Sequence, residues 1–363
     1  MKTDAPFSGV ERRKKYPLSV KLWLIIGLFM IFVQVVVGGI TRLTGSGLSI
    51  TRWEIVTGTL PPLDQEQWEE AFDLYKQTPQ YQKINEGMSM ADFKFIYFWE
   101  YVHRLWARMM GLVFVIPLAF FWWKGMLDRK LLRRLGIVFL LAALAASFGW
   151  IMVASGLVDR PWVNAYKLTV HLSIAFVLFG YLFWTVMYCF KPSPKVIHNK
   201  LLKRWGLALL ALLALQIVLG GIMSGMKAAL FYPTWPDMNG KVVPAIIFQA
   251  EQWNVHNFVN YDDTPFMAAL VQSAHRFTAY VLIIIGLWFS YRILKASLGK
   301  AMNAGALLLI SMLIIQILLG ILTLVNSVGE IPVDLGVMHQ GGALLLLGIV
   351  LFLNYHLQPS DNQ

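Results

Sequence analysis

Four histidines stand out because each lies near the start of a long apolar segment: His103, His171, His275 and His339. An ionisable side chain inside a bilayer costs free energy, so such residues are functional candidates. A lone buried histidine is as readily explained by a hydrogen bond to a neighbouring helix. Four at equivalent places favour a cofactor, because two facing imidazoles in a helix bundle can clamp a flat macrocycle from both sides. The pattern predicts bis-histidine ligation of heme iron, at two heme sites.

Arginines lie beside two of these histidines. Arg104 and Arg276 directly follow His103 and His275, and Arg108 lies about one helical turn past Arg104. A guanidinium forms strong charge-assisted hydrogen bonds with carboxylates, and heme carries two propionates. We therefore expect the three arginines to pair with heme propionates. The alternative is that these side chains extend to the lipid headgroups at the membrane surface.

One acidic residue distinguishes the first heme site from the second. Glu100 precedes His103 by three residues and Arg104 by four, so the three share a helix face, and Gln272 holds the corresponding place before His275. This difference favours a catalytic carboxylate in the first half and an electron-carrying cofactor in the second. The alternative is that Glu100 pairs with Arg104 or orients His103.

The composition indicates what kind of protein positions these residues. Of its 363 residues, 57% are hydrophobic and 14% are charged, whereas a soluble domain has about 25% charged residues. The single cysteine, Cys189, excludes an intrachain disulfide and an iron–sulfur site. Zinc is less favoured than heme, because neither half offers a third and a fourth ligand. We predict an all-α membrane protein with eight spans: 21–40, 94–123, 135–156, 166–190, 205–225, 266–294, 302–325 and 334–356.

The basic residues predict the orientation of the spans. They cluster in the N-terminal tail and in the short loops after spans 2, 4 and 6, which the positive-inside rule places in the cytoplasm. The net charge of +11 therefore reflects membrane orientation and gives no reason to expect nucleic acid as a partner. Both termini are predicted to be cytoplasmic, and the four histidines are predicted to lie near the outer face.

An internal repeat predicts the arrangement of the spans. "QVVVGG" (34–39) in span 1 is echoed by "QIVLGG" (216–221) in span 5, and "QILLG" (316–320) occurs in span 7. Two four-span halves insert with the same orientation, so we expect a pseudo-two-fold axis along the membrane normal. The predicted parts are a tail (1–20), a first four-helix bundle (21–190) with outer loop 41–93, a linker (191–204), a second bundle (205–356) with outer loop 226–264, and a tail (357–363).

Longer motifs resemble a known family. "GGITRLTGSGLSITRWEIVTGTLPP" (38–62), "FKFIYFWEYVHRLWARMMG" (93–111), "HRF" (275–277) and "MHQ" (338–340) are similar to sequences of the heme A synthase family, in its proteobacterial and mitochondrial branch. The resemblance implies eight transmembrane helices and oxidation of the C8 methyl of heme O to a formyl group, by successive hydroxylations. Another branch has a cysteine pair in its first outer loop, and residues 41–93 contain no cysteine.

The resemblance also implies roles for the candidate residues. His103 and His171 would flank the substrate heme, His275 and His339 would ligate a resident heme b, and Glu100 would be catalytic. Implied partners are heme O, membrane lipid of the cell's inner membrane, a farnesyl-heme synthase and oxidase assembly factors. The electron acceptor and a homo-oligomeric state stay open.

Two other functions are compatible with parts of the pattern. A di-heme, quinol-oxidising electron-transfer cytochrome explains four histidines but leaves the difference between Glu100 and Gln272 without a reason. A transporter with parallel repeats would have spans broken at mid-membrane, and Pro117 is the only clear candidate for such a break.

Overall fold

The structure is a computed structural model that describes residues 16–52, 60–157, 160–190 and 199–357. Within these ranges the chain forms helices and no named β-strand. In chain order the α-helices are α1 (Leu18–Leu43), α2 (Gln65–Lys76), α3 (Pro79–Lys83), α4 (Met90–Trp123), α5 (Arg129–Gly156), α6 (Ala165–Phe190), α7 (Lys200–Gly225), α8 (Val255–Val259), α9 (Phe266–Lys295), α10 (Lys300–Val325) and α11 (Val333–His356).

Eight of these helices are long and apolar enough to cross a membrane: α1, α4, α5, α6, α7, α9, α10 and α11. They confirm the eight predicted spans and make the chain a multi-pass membrane protein. Several begin earlier than predicted, because a polar side chain caps the first turn ahead of the apolar run. Asp128 accepts from the backbone N–H of Leu131 at the start of α5, and Asn199 accepts from that of Leu202 at the start of α7.

The centre of the molecule is formed by α1, α6, α7 and α11, in which α6 and α11 each pack against the other three helices. Close approach depends on glycines in the two "GG" pairs. A Cβ on Gly39 would lie 3.3 Å from Val337 in α11, and a Cβ on Gly221 would lie 3.1 Å from Thr169 in α6. Small residues allow helix backbones to approach closely in this way.

The remaining four spans lie around this centre. α4 packs on α1, α5 on α6, α9 on α7, and α10 on α11. In the second half α9 also packs closely along α10, whereas over the described residues the backbones of α4 and α5 approach each other closely in at most a few places. The first half is therefore the more open one. The predicted pseudo-two-fold axis and the cytoplasmic location of the termini stay predictions.

The segment between α1 and α4 covers the end of α4 that precedes the histidine. Within it lies α2, which is capped by Asp64. Its Phe72 and Tyr75 stack on Phe93 of α4, with ring centroids 4.8 and 5.3 Å apart. Within the quoted motif, residues 53–59 lie outside the described residues, as do 1–15 and 358–363 of the predicted tails and 191–198 of the predicted linker.

Candidate functional site

Each of the four histidines contacts a glycine on the preceding span. A Cβ built on Gly38 of α1 would lie 3.0 Å from Cε1 of His103 in α4. The same relation, at 3.0 to 3.2 Å, joins Gly149 to His171, Gly220 to His275, and Gly320 to His339. Any larger residue would crowd the imidazole, so each ring rests against bare helix backbone. The contact recurs in all four helix pairs and sets a common register for them.

A glutamine contacts the histidine in three of these four pairs, and it lies four residues before the glycine. Nε2 of Gln34 is 3.2 Å from Nε2 of His103, and Nε2 of Gln216 is 3.1 Å from Nε2 of His275. With its amide oriented to accept from Ala343, Gln316 donates to Nδ1 of His339 at 3.3 Å. Residue type alone predicts no role for these glutamines, although the repeated "Q-x-x-x-G" spacing marks their positions.

His171 is the exception, and its surroundings leave one nitrogen ready for a ligand. The residue in the glutamine position is Ala145, whose carbonyl oxygen lies 2.8 Å from Nδ1 of His171. A carbonyl only accepts, so Nδ1 carries the proton and Nε2 keeps its lone pair. This is the tautomer that ligates iron through Nε2.

A large cavity brings five of the predicted residues together. Its volume is about 1010 Å³, at the upper end of the roughly 300–1,000 Å³ usual for small-molecule sites. It is enclosed mainly by α1, α4, α5 and α6, and its lining includes Glu100, His103, Arg104, Arg108 and His171. The first half therefore contains a space with two histidines, an acid and two arginines around it.

Glu100 is buried, with 2% of its surface exposed, and binds the segment that follows α1. Its Oε2 accepts from the backbone N–H and hydroxyl of Ser49, both at 2.7 Å, and from the N–H of Ile50 at 2.9 Å. Its Oε1 accepts from Arg104 at 2.6 Å, and Arg104 also donates to the Ile50 carbonyl at 3.0 Å. The pairing with Arg104 that the sequence left as an alternative is thus present. These donors offset the cost of burying the carboxylate.

The corresponding residues of the second half bind a different segment. Gln272 is fully buried, and its amide donates to the carbonyl of Tyr232 at 2.9 Å. Arg276 donates to carbonyls of the same loop, at 2.7 Å to Thr234 and to Asp237, and at longer range to Tyr232 and Pro236. In this structure Arg276 therefore holds the outer loop. Pairing of Arg104, Arg108 and Arg276 with propionates stays a prediction.

The second histidine pair fits a heme better than a bare metal ion. Within the described ranges no three His, Cys, Asp or Glu side chains are arranged to hold an ion. Nδ1 of His275 and Oε1 of Gln216 are buried, and neither has a hydrogen-bond partner among the described residues. Two half-buried imidazoles, one of them with an unused buried nitrogen, suit a macrocycle with two axial ligands.

Comparisons with known proteins agree with this chemistry. Residues 21–351 match the family of cytochrome oxidase assembly proteins. A heme A synthase of Nitrosospira multiformis is 42% identical, over 98% of this chain and 96% of that protein. Those of Nitrosomonas eutropha and Agrobacterium fabrum are 39% and 40% identical, over 96% and 94% of this chain and 97% and 91% of the relatives.

Proposed function

Because this chain belongs to the family of cytochrome oxidase assembly proteins, we propose that it is a heme A synthase, as its relatives are. It would oxidise the C8 methyl of heme O to a formyl group by successive hydroxylations, as an oxidoreductase acting on a CH group. The observation that carries the proposal is the cavity of the first half, in which His103, His171 and Glu100 share one lining.

The substrate belongs in this cavity. His103 and His171 would hold heme O from its two faces, and the His171 tautomer supports this because Nε2 is left for the iron. Arg104 and Arg108 line the same space and would meet the propionates. The contact with Gly149 limits how far the His171 ring can move, which favours a fixed orientation of the bound substrate.

Resident heme b belongs in the second half, between His275 and His339. When bound there, it would supply one-electron transfer away from the substrate. The residues of this chain limit the movement of both imidazoles through the contacts with Gly220 and Gly320. This half holds the amide of Gln272 where the first half holds Glu100, as suits a site that transfers electrons without modifying its heme.

Glu100 would act on the substrate by its negative charge. Positive charge develops at the ring edge as electrons and a proton leave the methyl, and a fixed carboxylate nearby stabilises that charge. The donors from Ser49, Ile50 and Arg104 hold the carboxylate in one position, so little reorganisation is needed during reaction. Proton acceptance by Glu100 is the alternative role.

The proposed surroundings follow from the same assignment. The protein would lie in the cell's inner membrane with both heme sites near the outer face. Heme O would come from a farnesyl-heme synthase, and heme A would pass to oxidase assembly factors. The di-heme electron-transfer cytochrome is not favoured, because the relatives reported above are heme A synthases.

Expression in cells that make heme O but no heme A tests the function. The intact chain is expected to yield heme A in extracted membranes, and the His171→Ala variant is expected to yield heme O without heme A. Failure of the intact chain to form heme A, with heme O present and the protein in the membrane, would exclude the activity.

A further inference from the structure

We propose that the isoprenoid tail of heme O lies in an apolar channel that runs from His103 and His171 toward the cytoplasmic side, ending at Phe114 and Phe139. The proposal rests on the function proposed above, because it assigns part of the same cavity to one part of that substrate. It is carried by a comparison between the two halves of the chain.

The four glycine–histidine contacts fix which positions correspond. In the first span of each half, Gly27 and Leu209 correspond, because each lies eleven residues before the glycine that contacts the histidine. In the third span of each half, Ala142 and Leu313 correspond, because each lies seven residues before that glycine. Eleven residues after the histidine of the second span are Phe114 and Gly286. At 1.5 Å per residue, all six positions lie about 10–16 Å further into the membrane than the histidines.

In the second half these positions form a closed layer. Leu209 and Leu313 are buried, with 1% and 2% of their surfaces exposed. They meet the bare backbone of Gly286, where an added Cβ would lie 2.5 Å from Leu313 and 3.7 Å from Leu209. The space beneath His275 and His339 is thus filled by leucine side chains, which suits a heme without a tail.

In the first half the same layer is open. Gly27, Ala142 and Phe114 all line the cavity. An added Cβ on Gly27 would meet only Leu182, at 3.5 Å. Two leucines are replaced here by residues with almost no side chain. The cavity therefore continues inward from the histidines, where the second half is closed.

Aromatic rings end the channel. Phe114 packs against Trp23 and Phe139, with ring centroids 5.8 and 6.5 Å apart, and all three residues line the cavity. Phe139 is 56% exposed and lies on α5, and over the described residues the backbone of α5 approaches that of α4 less closely than α9 approaches α10. The wall between these two helices is the open one, so an apolar chain can enter it from the bilayer.

The occupant follows from the shape of the substrate. Heme O differs from heme b in a farnesyl chain, which leaves the macrocycle on the edge opposite the propionates. With the propionates beside the guanidinium of Arg104, which binds Ile50 in the segment that follows α1, the farnesyl edge would face the layer of Gly27 and Ala142. Burial of an apolar chain stabilises the complex in proportion to the apolar area that is removed from water. The channel would therefore select the farnesylated heme over heme b.

Substitutions that introduce the leucines of the second half at the corresponding positions of the first half test the proposed channel. Gly27→Leu and Ala142→Leu, singly and together, are compared with Gly136→Leu and Ala119→Leu. The control positions are exposed and outside the cavity lining. Each holoprotein, carrying its resident heme b, is titrated with heme O and with heme B, and the binding is followed by visible absorbance.

The channel variants are expected to weaken heme O binding by about tenfold or more, with heme B binding and both control variants unchanged. Equal weakening of heme O binding and heme B binding, or no change in either affinity, would overturn the proposal. So would loss of a lipid seen in native mass spectra with heme O affinity intact, since a lipid chain would then be the occupant. If the double variant loses its resident heme b, the heme O and heme B affinities of the Ala142→Leu single variant decide whether the proposal holds.

The two proposals can fail separately. A wild-type protein that neither binds heme O nor forms heme A contradicts the proposed function. A wild-type protein that forms heme A, with channel variants that still prefer heme O, contradicts only the channel.

Discussion

Oε1 of Glu100 lies 2.6 Å from the guanidinium of Arg104, one turn further along α4, and both side chains bind the segment that follows α1. This ion pair links the helix that carries His103 to the loop that covers the site. A variant at Glu100 should therefore change both the chemistry of the site and the attachment of this loop.

Glu100→Gln should abolish most heme A formation while leaving the resident heme b bound. Loss of a preorganised charge typically lowers the rate by about a hundredfold or more. Heme A per protein in extracts of the variant measures this, and Gln272→Glu serves as the matched change in the second half. Heme A formation at the wild-type level would exclude a catalytic role for the carboxylate.

Glu100→Leu should loosen the loop. A glutamine at this position would keep one oxygen acceptor, whereas a leucine leaves the backbone N–H groups of Ser49 and Ile50 without an acceptor, and a buried donor left unpaired costs about 1–3 kcal/mol. Hydrogen exchange at these two amides should accelerate by about tenfold to a hundredfold. Unchanged exchange, with catalysis lost, would show that Glu100 acts on the substrate alone.

Gly320→Ala should impair heme b binding in the second half. Its added Cβ would lie 3.1 Å from Cε1 of His339, and crowding of this kind costs about 1–3 kcal/mol. Gly136→Ala is the control, since a Cβ there meets nothing within 4 Å. The heme b content of purified protein measures the effect, and equal content in both variants would contradict a positioning role for the glycine contact.

The stability of the outer loop of the second half should depend on pH. The hydroxyl of Thr234 and the N–H of Gly240 donate to Asp237 and hold the pKa of its carboxyl below the ordinary value of 3.8. The ionised form is favoured in the folded loop, so its contribution is present above pH 3.8 and is lost as the pH falls through the lowered pKa.

Exchange of the Gly240 amide, corrected for its intrinsic rate, should therefore accelerate in acid. In Asp237→Asn the same amide should exchange quickly at every pH. A wild-type loop whose protection does not change between pH 6 and pH 3 would rule out this role of Asp237.

The spans could be predicted from the sequence because apolar length alone specifies them. Their starts were less accurate, since caps such as Asn199 lie outside the apolar run. The four histidines could be placed at one depth, but their glycine contacts could not, because these depend on which helices become neighbours. The hydrogen bonds of Glu100 to Ser49 and Ile50 depend on the fold of a loop without a regular pattern. The open layer at Gly27 and Ala142 became visible only once the glycine–histidine contacts had fixed the register.

The most direct test of the account is the heme content of single-histidine variants, purified from cells that make heme O and analysed by acid extraction and mass spectrometry. His171→Ala should retain heme b and contain neither heme O nor heme A, whereas His339→Ala should lose heme b. Loss of heme b from His171→Ala, or its full retention in His339→Ala, would contradict the division into a substrate half and a cofactor half.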